Sequence, residues 1–174
     1  MKKQLILLAL MLTTVSVSAR EKKDVWPDGT KMDPWFSNVT KVNTDTLGKR
    51  YILTEHGVKS DSTIVQTQAI QAVIDKASKA GGGVIVVPEG TYLSGALFFK
   101  PKTHLLVEDG GKLKGSERIA DFPILETRIE GQTCKYFAAL VNADNLNGFT
   151  IAGHGTIDGN GYHYWQEFWI RRKW

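Results

Sequence analysis

The sequence predicts an all-β solenoid, a stack of short coils closed at its start by one amphipathic helix. Three observations carry that prediction. Val84 to Gly95 lies over His104 to Gly115 with apolar residues on apolar residues, Gly90 on Gly110, Leu93 on Leu113 and Gly95 on Gly115. Phe149 to Gly159 fits the same frame, with Ile157 and Gly159 falling on Leu113 and Gly115. A helical pattern ends immediately before the first copy. A strand, a glycine turn, a second strand and a closing glycine, recurring about every 20 residues, is a solenoid period. One copy alone leaves its apolar face bare, so the copies must stack into a core.

Taken in order, residues 1–19 read as a signal peptide outside the fold. Lys2 and Lys3 form its charged start, Leu5 to Leu12 its apolar run, and Val17-Ser18-Ala19 its small-residue cleavage site, with the cut expected after Ala19. The apolar run is too short to span a bilayer and no second run follows it. A secreted or periplasmic protein with no membrane span is expected. Loss of the leader removes two positive charges from the formal +4. No basic stripe interleaves with aromatics, so nucleic acid is not an expected partner.

Residues 20–50 read as an amino-terminal arm packed on the solenoid. Trp26-Pro27-Asp28-Gly29 has turn composition. Trp35 and Phe36 are the expected anchors, with packing preferred over a sugar platform beside a large core. Asn38-Val39-Thr40 has the form of a glycosylation acceptor and is read as coincidental.

Residues 51–174 read as the first coils of a parallel β-helix, with a capping helix over residues 63–80. Ile70, Val73, Ile74 and Ala77 fall at the i, i+3, i+4, i+7 spacing of one apolar face. Thr63 and Gln66 form the expected capping box. Lys76 and Lys79 suit the negative end of the helix dipole, and Gly81 the left-handed stop. Gly81-Gly82-Gly83 follows a helix and precedes a strand, the reverse of a phosphate loop, and reads as a connector.

After Gly115 the repeat is interrupted. Residues 116–135 are polar and read as an insertion projecting from one face, a candidate cleft wall. Phe137 to Val141 is expected to resume the strand pattern. Asn142, Asn145 and Asn147 mark the following turn, where asparagine tolerates left-handed backbone. Cys134 is the only cysteine, which excludes an intrachain disulfide, and reads as a small buried hydrophobe. Arg171-Arg172-Lys173 reads as a solvated charge run. The chain stops at Trp174 without a visible terminal cap, so a truncated solenoid is expected.

The run from Asp61 through Thr67-Gln68-Ala69-Ile70 and Gly81-Gly82-Gly83-Val84 to Gly95 resembles the amino-terminal part of glycoside hydrolase family 28. That family comprises polygalacturonases and rhamnogalacturonan hydrolases within the pectin-lyase-like superfamily. Gly153-His154-Gly155-Thr156-Ile157-Asp158-Gly159-Asn160-Gly161, followed by Trp165, is similar to the family's Gly-x-Gly-x-Ile-Asp-Gly-x-Gly…Trp segment. Trp26-Pro27-Asp28-Gly29-Thr30 with Trp35-Phe36 looks like secreted bacterial members.

The resemblance implies a right-handed parallel β-helix, an acidic plant cell-wall polysaccharide as partner, no cofactor, and a monomer at full length. It also implies inverting hydrolysis of α-galacturonosidic bonds. In that chemistry one carboxylic acid protonates the leaving oxygen and a second carboxylate, roughly 6.5–9.5 Å away, activates water. In the family the pair comes from an Asn-Thr-Asp motif and a following Asp-Asp, assisted by a Gly-His-Gly histidine and an Arg-Ile-Lys motif. Asn43-Thr44-Asp45 spells the first motif but lies ahead of the helix, on the arm instead of a late coil. No Asp-Asp or Arg-Ile-Lys is present.

Gly153-His154-Gly155 spells the histidine motif, yet His154 aligns with the turn glycines Gly90 and Gly110 and is expected to take a left-handed turn position. Asp158 aligns with Lys114 and Ser94, which gives it an outward or turn-stabilising role. His163, Tyr164 and Trp165 are read as packing at a coil corner, with a sugar border as the alternative. Hence no residue is assigned as catalytic, substrate-binding or metal-ligating. The expected function is the amino-terminal portion of a secreted pectin-degrading hydrolase, inactive as this stretch alone. The alternatives are a β-helix lyase, which requires a basic residue for the C5 proton and a calcium ion, and a non-catalytic polysaccharide-binding β-helix.

Overall fold

The computed structural model describes residues 25–37 and 42–172. The expected leader at 1–19 and the Asn38-Val39-Thr40 sequon lie outside them. The chain divides into two units, residues 1–41 and 42–174.

In the first unit the amide of Gly29 donates to the carbonyl of Trp26 at 2.8 Å, closing the expected turn. Asp28 accepts from both the amide and the hydroxyl of Thr30. Those two hydrogen bonds, the backbone one foremost, hold the Asp28 carboxyl below its usual range. A single helical turn, α1 (Pro34–Ser37), follows. Its Trp35 stacks on Phe36 with ring centroids 3.7 Å apart, and Phe36 meets Trp26 edge-on at 5.1 Å.

The second unit is the solenoid. Its elements are β1 (Arg50–Ile52), α2 (Thr67–Lys79), β2 (Gly83–Val87), β3 (Gly90–Ser94), β4 (Leu97–Phe98), β5 (Thr103–Val107), β6 (Gly111–Gly115), β7 (Ile124–Ile129), β8 (Gln132–Phe137), β9 (Val141–Asn142), β10 (Ile151–Gly153), β11 (Thr156–Asp158) and α3 (Tyr162–Arg171). Three sheets are wholly parallel: β1-β2-β5-β10, β3-β6-β11 and β4-β9. Successive strands of one coil enter successive sheets, which is the right-handed parallel β-helix that the repeat and the resemblance predict.

The stacking places like on like. Tyr51, Ile85, Leu105 and Ile151 form one ladder, and Tyr92, Leu113 and Ile157 another. Tyr51, Ile85, Leu105, Tyr92 and Leu113 are buried in the main core together with Leu97. The other face of the first sheet is apolar too. Val84, Val86 and Leu106 pack there under Leu47, Ile52 and Ala152, with Leu47 supplied by a 3-10 turn at Thr44–Leu47. A parallel sheet covered on both faces explains the unbroken apolar run from Val84 to Val87.

Helix α2 does what its spacing predicts: Ile70, Val73, Ile74 and Ala77 are all buried against the coils. Full burial of the two isoleucines and the valine stabilises by about 1.5–3 kcal/mol each. The Gln71 amide fixes the helix on β4, accepting from the Phe98 amide at 2.9 Å and donating to the Phe98 carbonyl at 2.8 Å. At the far end Gly81, with φ +100°, donates to Ser78 and Gly82 donates to Ala77, a Schellman closure.

Four expectations change. The helix begins at Thr67, not at residue 63, and the Thr63–Gln66 capping box does not form. Asp61 takes both the amide and the hydroxyl of Thr63 at 2.7 Å, while the Gln66 side chain turns back to the Lys59 backbone. A carboxylate two residues away outcompetes a cap that requires the next turn to form first.

The frame of the repeat also slips. Val84 pairs with His104 as expected, but Gly90 pairs with Gly111, Tyr92 with Leu113 and Ser94 with Gly115. The second coil has one more turn residue, Glu108-Asp109-Gly110 against Pro88-Glu89, so Leu93 falls on Lys114 instead of Leu113.

The insertion folds as an antiparallel hairpin of β7 and β8 that absorbs Phe137. Only Val141 and Asn142 return to the stack, beside Leu97 and Phe98. Asn145 does take the left-handed conformation, at φ +51°. Finally, residues 162–171 form α3 instead of a coil corner. Aromatic residues have middling helix propensity, and no side-chain cap announces its start.

Candidate functional site: a cleft between the hairpin and the last helix

The hairpin and α3 border a cavity of about 680 Å3, of the size that receives small ligands. Its floor is the end of the coil at Ser116 and Asn160, one wall is the return from the hairpin at Phe137–Leu140, and the other is α3. Tyr164, Phe168 and Arg171 lie at i, i+4, i+7, so one face of the helix lines the space. Trp165, Trp169 and Ile170 do not line it and are exposed.

The walls are joined by polar and ring contacts. The Tyr136 and Tyr164 hydroxyls are 2.8 Å apart, and Tyr164 meets Phe137 edge-on at 5.3 Å. The shared hydrogen bond, ahead of burial, holds the Tyr136 hydroxyl above its ordinary 10.0. His163 Nε2 lies 3.2 Å from Glu117. The Ser116 hydroxyl donates to Asp121, and the Arg172 guanidinium sits 5.1 Å above the Phe168 ring.

Asp158 stabilises the turn beneath, accepting from the Asn160 amide at 2.9 Å and facing Lys112 at 4.0 Å. It neighbours Lys114, as expected, and through it Leu93, where Ser94 was the expected partner. Three carboxylates around the cleft thus hold structure, Glu117 by pairing, Asp121 by accepting and Asp158 by capping, while Glu167 on α3 faces Arg171 at 4.0 Å.

The two motif look-alikes also have structural uses. Asn43 caps the 3-10 turn Thr44–Leu47, its side chain accepting from the Asp45 amide at 3.0 Å. His154 is exposed in the turn between β10 and β11 and does not line the cleft. The left-handed position beside it belongs to Gly153, at φ +108°, and not to His154. A β-carbon there would drive into the carbonyl of Val107. Cys134 lies half-buried and free in β8, less enclosed than a core hydrophobe.

Arg171 and Arg172 are exposed, as a solvated run should be, and they also line the cleft; Lys173 lies outside the described residues. Tyr136, Tyr164 and Phe168 were not legible as a group, because a hairpin and a helix bring them together. The Tyr164…Phe168 spacing was the available signal. Among the described residues no group of three or more His, Cys, Asp or Glu is placed to hold a metal ion, and no helix is long and apolar enough to cross a membrane.

No protein-family model matches the sequence. The chain is 33% identical to an exo-poly-α-D-galacturonosidase of Dickeya chrysanthemi over 80% of its own length, and 28% identical to a probable polygalacturonase of Vitis vinifera over 67%. A 64-residue stretch, 32% of the chain, is 38% identical to alginate lyase 7 of Azotobacter vinelandii. Among solved structures it is similar to a family 28 exopolygalacturonase of Yersinia enterocolitica, at TM-score 0.58 and 32% identity, covering 64% of this chain and 21% of that one. It is also similar to a hyperthermoactive exopolygalacturonase of Thermotoga maritima, at TM-score 0.60 and 29% identity, covering 64% and 25%. The chain spans about a quarter of the length of the two polygalacturonase relatives, 24% and 26%.

Proposed function

Because the chain has the glycoside hydrolase family 28, pectin-lyase-like fold along the stretch it spans, we propose that it forms the opening coils of a pectin-degrading hydrolase. The observation that carries the proposal is the breadth of the likeness to the Dickeya exo-poly-α-D-galacturonosidase, four-fifths of this chain against about a quarter of that enzyme. The likeness to the alginate lyase reaches only 32% of the chain, which favours hydrolysis over elimination.

The substrate is an acidic plant cell-wall polysaccharide, pectin, polygalacturonate or rhamnogalacturonan, cut at α-galacturonosidic bonds with inversion. Export follows from the charged start, apolar run and Ala19 cleavage site of residues 1–19. The acid and the base that inversion requires are not assigned to these residues, since the Asn43-Thr44-Asp45 look-alike caps a turn and Glu117, Asp121 and Asp158 are engaged in structural contacts. The stretch supplies the sealed end of the scaffold and one wall system, and the reacting carboxylates stand on later coils.

The coding DNA downstream of Trp174 tests this. An Asn-Thr-Asp followed by an Asp-Asp on the next coils is the expected reading. A downstream reading frame without either pair would overturn it.

A further inference from the structure

The cleft between the hairpin and α3 has a chemistry that the scaffold role does not use. Two aromatic rings on α3, Tyr164 and Phe168, border it and are the least exposed of that helix's aromatics, at 43% and 38%. Aromatic rings of this kind offer an apolar face with a polar edge. Behind them the helix ends in Arg171 and Arg172. Arg171 has only a loose partner, Glu167 at 4.0 Å, and Arg172 has no carboxylate within 4.0 Å among the described residues. Guanidinium groups in this state are available for planar, bidentate recognition of a carboxylate. Of the carboxylates that line the cleft, Glu117 faces His163 at 3.2 Å and Glu167 faces Arg171 at 4.0 Å, which leaves Arg172 without a carboxylate of its own among the described residues.

A ligand with a ring that has an apolar face, hydroxyls, and one carboxylate matches this lining. Those are the features of a uronic acid. Neutral sugars match the rings but leave the guanidinium groups unused, and inorganic anions match the guanidinium groups but leave the rings unused. The volume, about 680 Å3, admits more than a single small anion. We infer that the cleft is a binding site for an acidic saccharide, with the sugar ring against Tyr164 and Phe168 and its carboxylate on Arg171 and Arg172. The inference rests on the acidic-polysaccharide reading above, yet it assigns binding to a place distinct from the bond-cleaving coils. It gives the opening coils a hold on the polymer.

Titration calorimetry on the 174-residue chain with trigalacturonate, and separately with a neutral galactose trisaccharide, tests it. Saturable binding of the acidic sugar is expected, weakened about tenfold or more by Arg171→Gln or Arg172→Gln, the size of one charge-assisted hydrogen bond. Arg128→Gln, an exposed arginine of the hairpin that does not line the cleft, should leave binding unchanged. Circular dichroism confirms that each variant is folded. Absent saturation, equal binding of the neutral sugar, or an equal loss in Arg128→Gln would each overturn the site. Binding is read without turnover, so the site can fail while the hydrolase reading stands, and the downstream motifs can be missing while the site binds.

Discussion

The side-chain amide of Asn160 donates to the backbone carbonyl of Gly115 at 2.9 Å, across 45 residues of chain. Between the two, the chain leaves the stack, builds the hairpin and comes back. Asn142 does the same one sheet away, donating to the Leu97 carbonyl at 3.0 Å, also 45 residues earlier. Neighbouring strands stand roughly 4.7–4.9 Å apart, a gap that an asparagine amide can bridge to a carbonyl on the next rung. The two asparagines therefore sew the coil that follows the insertion onto the coil that precedes it.

Asn142 holds three backbone groups, accepting from the Ala139 amide and donating to the Leu97 and Ala139 carbonyls. Asn142→Ala should cost about 1–3 kcal/mol, because it strands the half-buried Leu97 carbonyl and releases two further bonds to the exposed Ala139 backbone. Asn160→Ala, which releases the Gly115 carbonyl, should cost less, about 0.5–1.5 kcal/mol. Urea unfolding of both variants measures the order, and a larger loss in Asn160→Ala would contradict it.

Gly153 and Gly159 look alike in sequence, each closing a short strand. Gly153 has φ +108° and a β-carbon there meets the Val107 backbone, whereas Gly159 has open space around it. Gly153→Ala should therefore destabilise by more than about 1 kcal/mol, and Gly159→Ala by little or nothing. Thermal melts of the pair distinguish the positions.

Ile74 is fully buried where α2 closes the first coil. Ile74→Ala should lower stability by about 2–5 kcal/mol through lost apolar contact and the cavity left behind. An effect below about 1 kcal/mol, read from the denaturant midpoint, would mean that the helix does not seal the stack.

His104 lies beside Val84 on the covered face of the first sheet, and its Nδ1 is buried without a partner among the described residues. Burial holds its pKa below the ordinary 6.5. The unfolded chain then binds the proton more readily than the folded one as the pH falls below that value. The contribution to stability is complete above the unfolded pKa and is lost on acidification toward the folded pKa. Between about pH 7 and pH 5, His104→Gln should show a shallower loss of stability than the parent chain. Parallel pH profiles would contradict this.

The scaffold was legible because solenoid physics repeats itself. Ile70, Val73, Ile74 and Ala77 announced α2, and Val84 to Val87 announced a strand covered on both faces. What escaped was set by single residues or by distant chain. One extra turn residue, Gly110 behind Glu108-Asp109, shifts the second ladder, and no periodicity reveals it. Asp61 decides where α2 begins by capturing Thr63. The cleft escaped because Tyr136 and Tyr164 meet only after a hairpin and an uncapped helix have formed. His154 and Asn43 were set aside as catalysts by their place in the chain; the structure puts Asn43 at the cap of a 3-10 turn and His154 in an exposed turn, although the left-handed position expected of His154 belongs to Gly153.

The most direct test is incubation of the 174-residue chain with polygalacturonate, following reducing ends and ultraviolet-absorbing unsaturated ends together. Neither should accumulate, since these coils hold and seal but contain no assigned acid and base pair. Sustained release of reducing ends by these residues alone would contradict that, and would place a working pair of carboxylates within the opening coils.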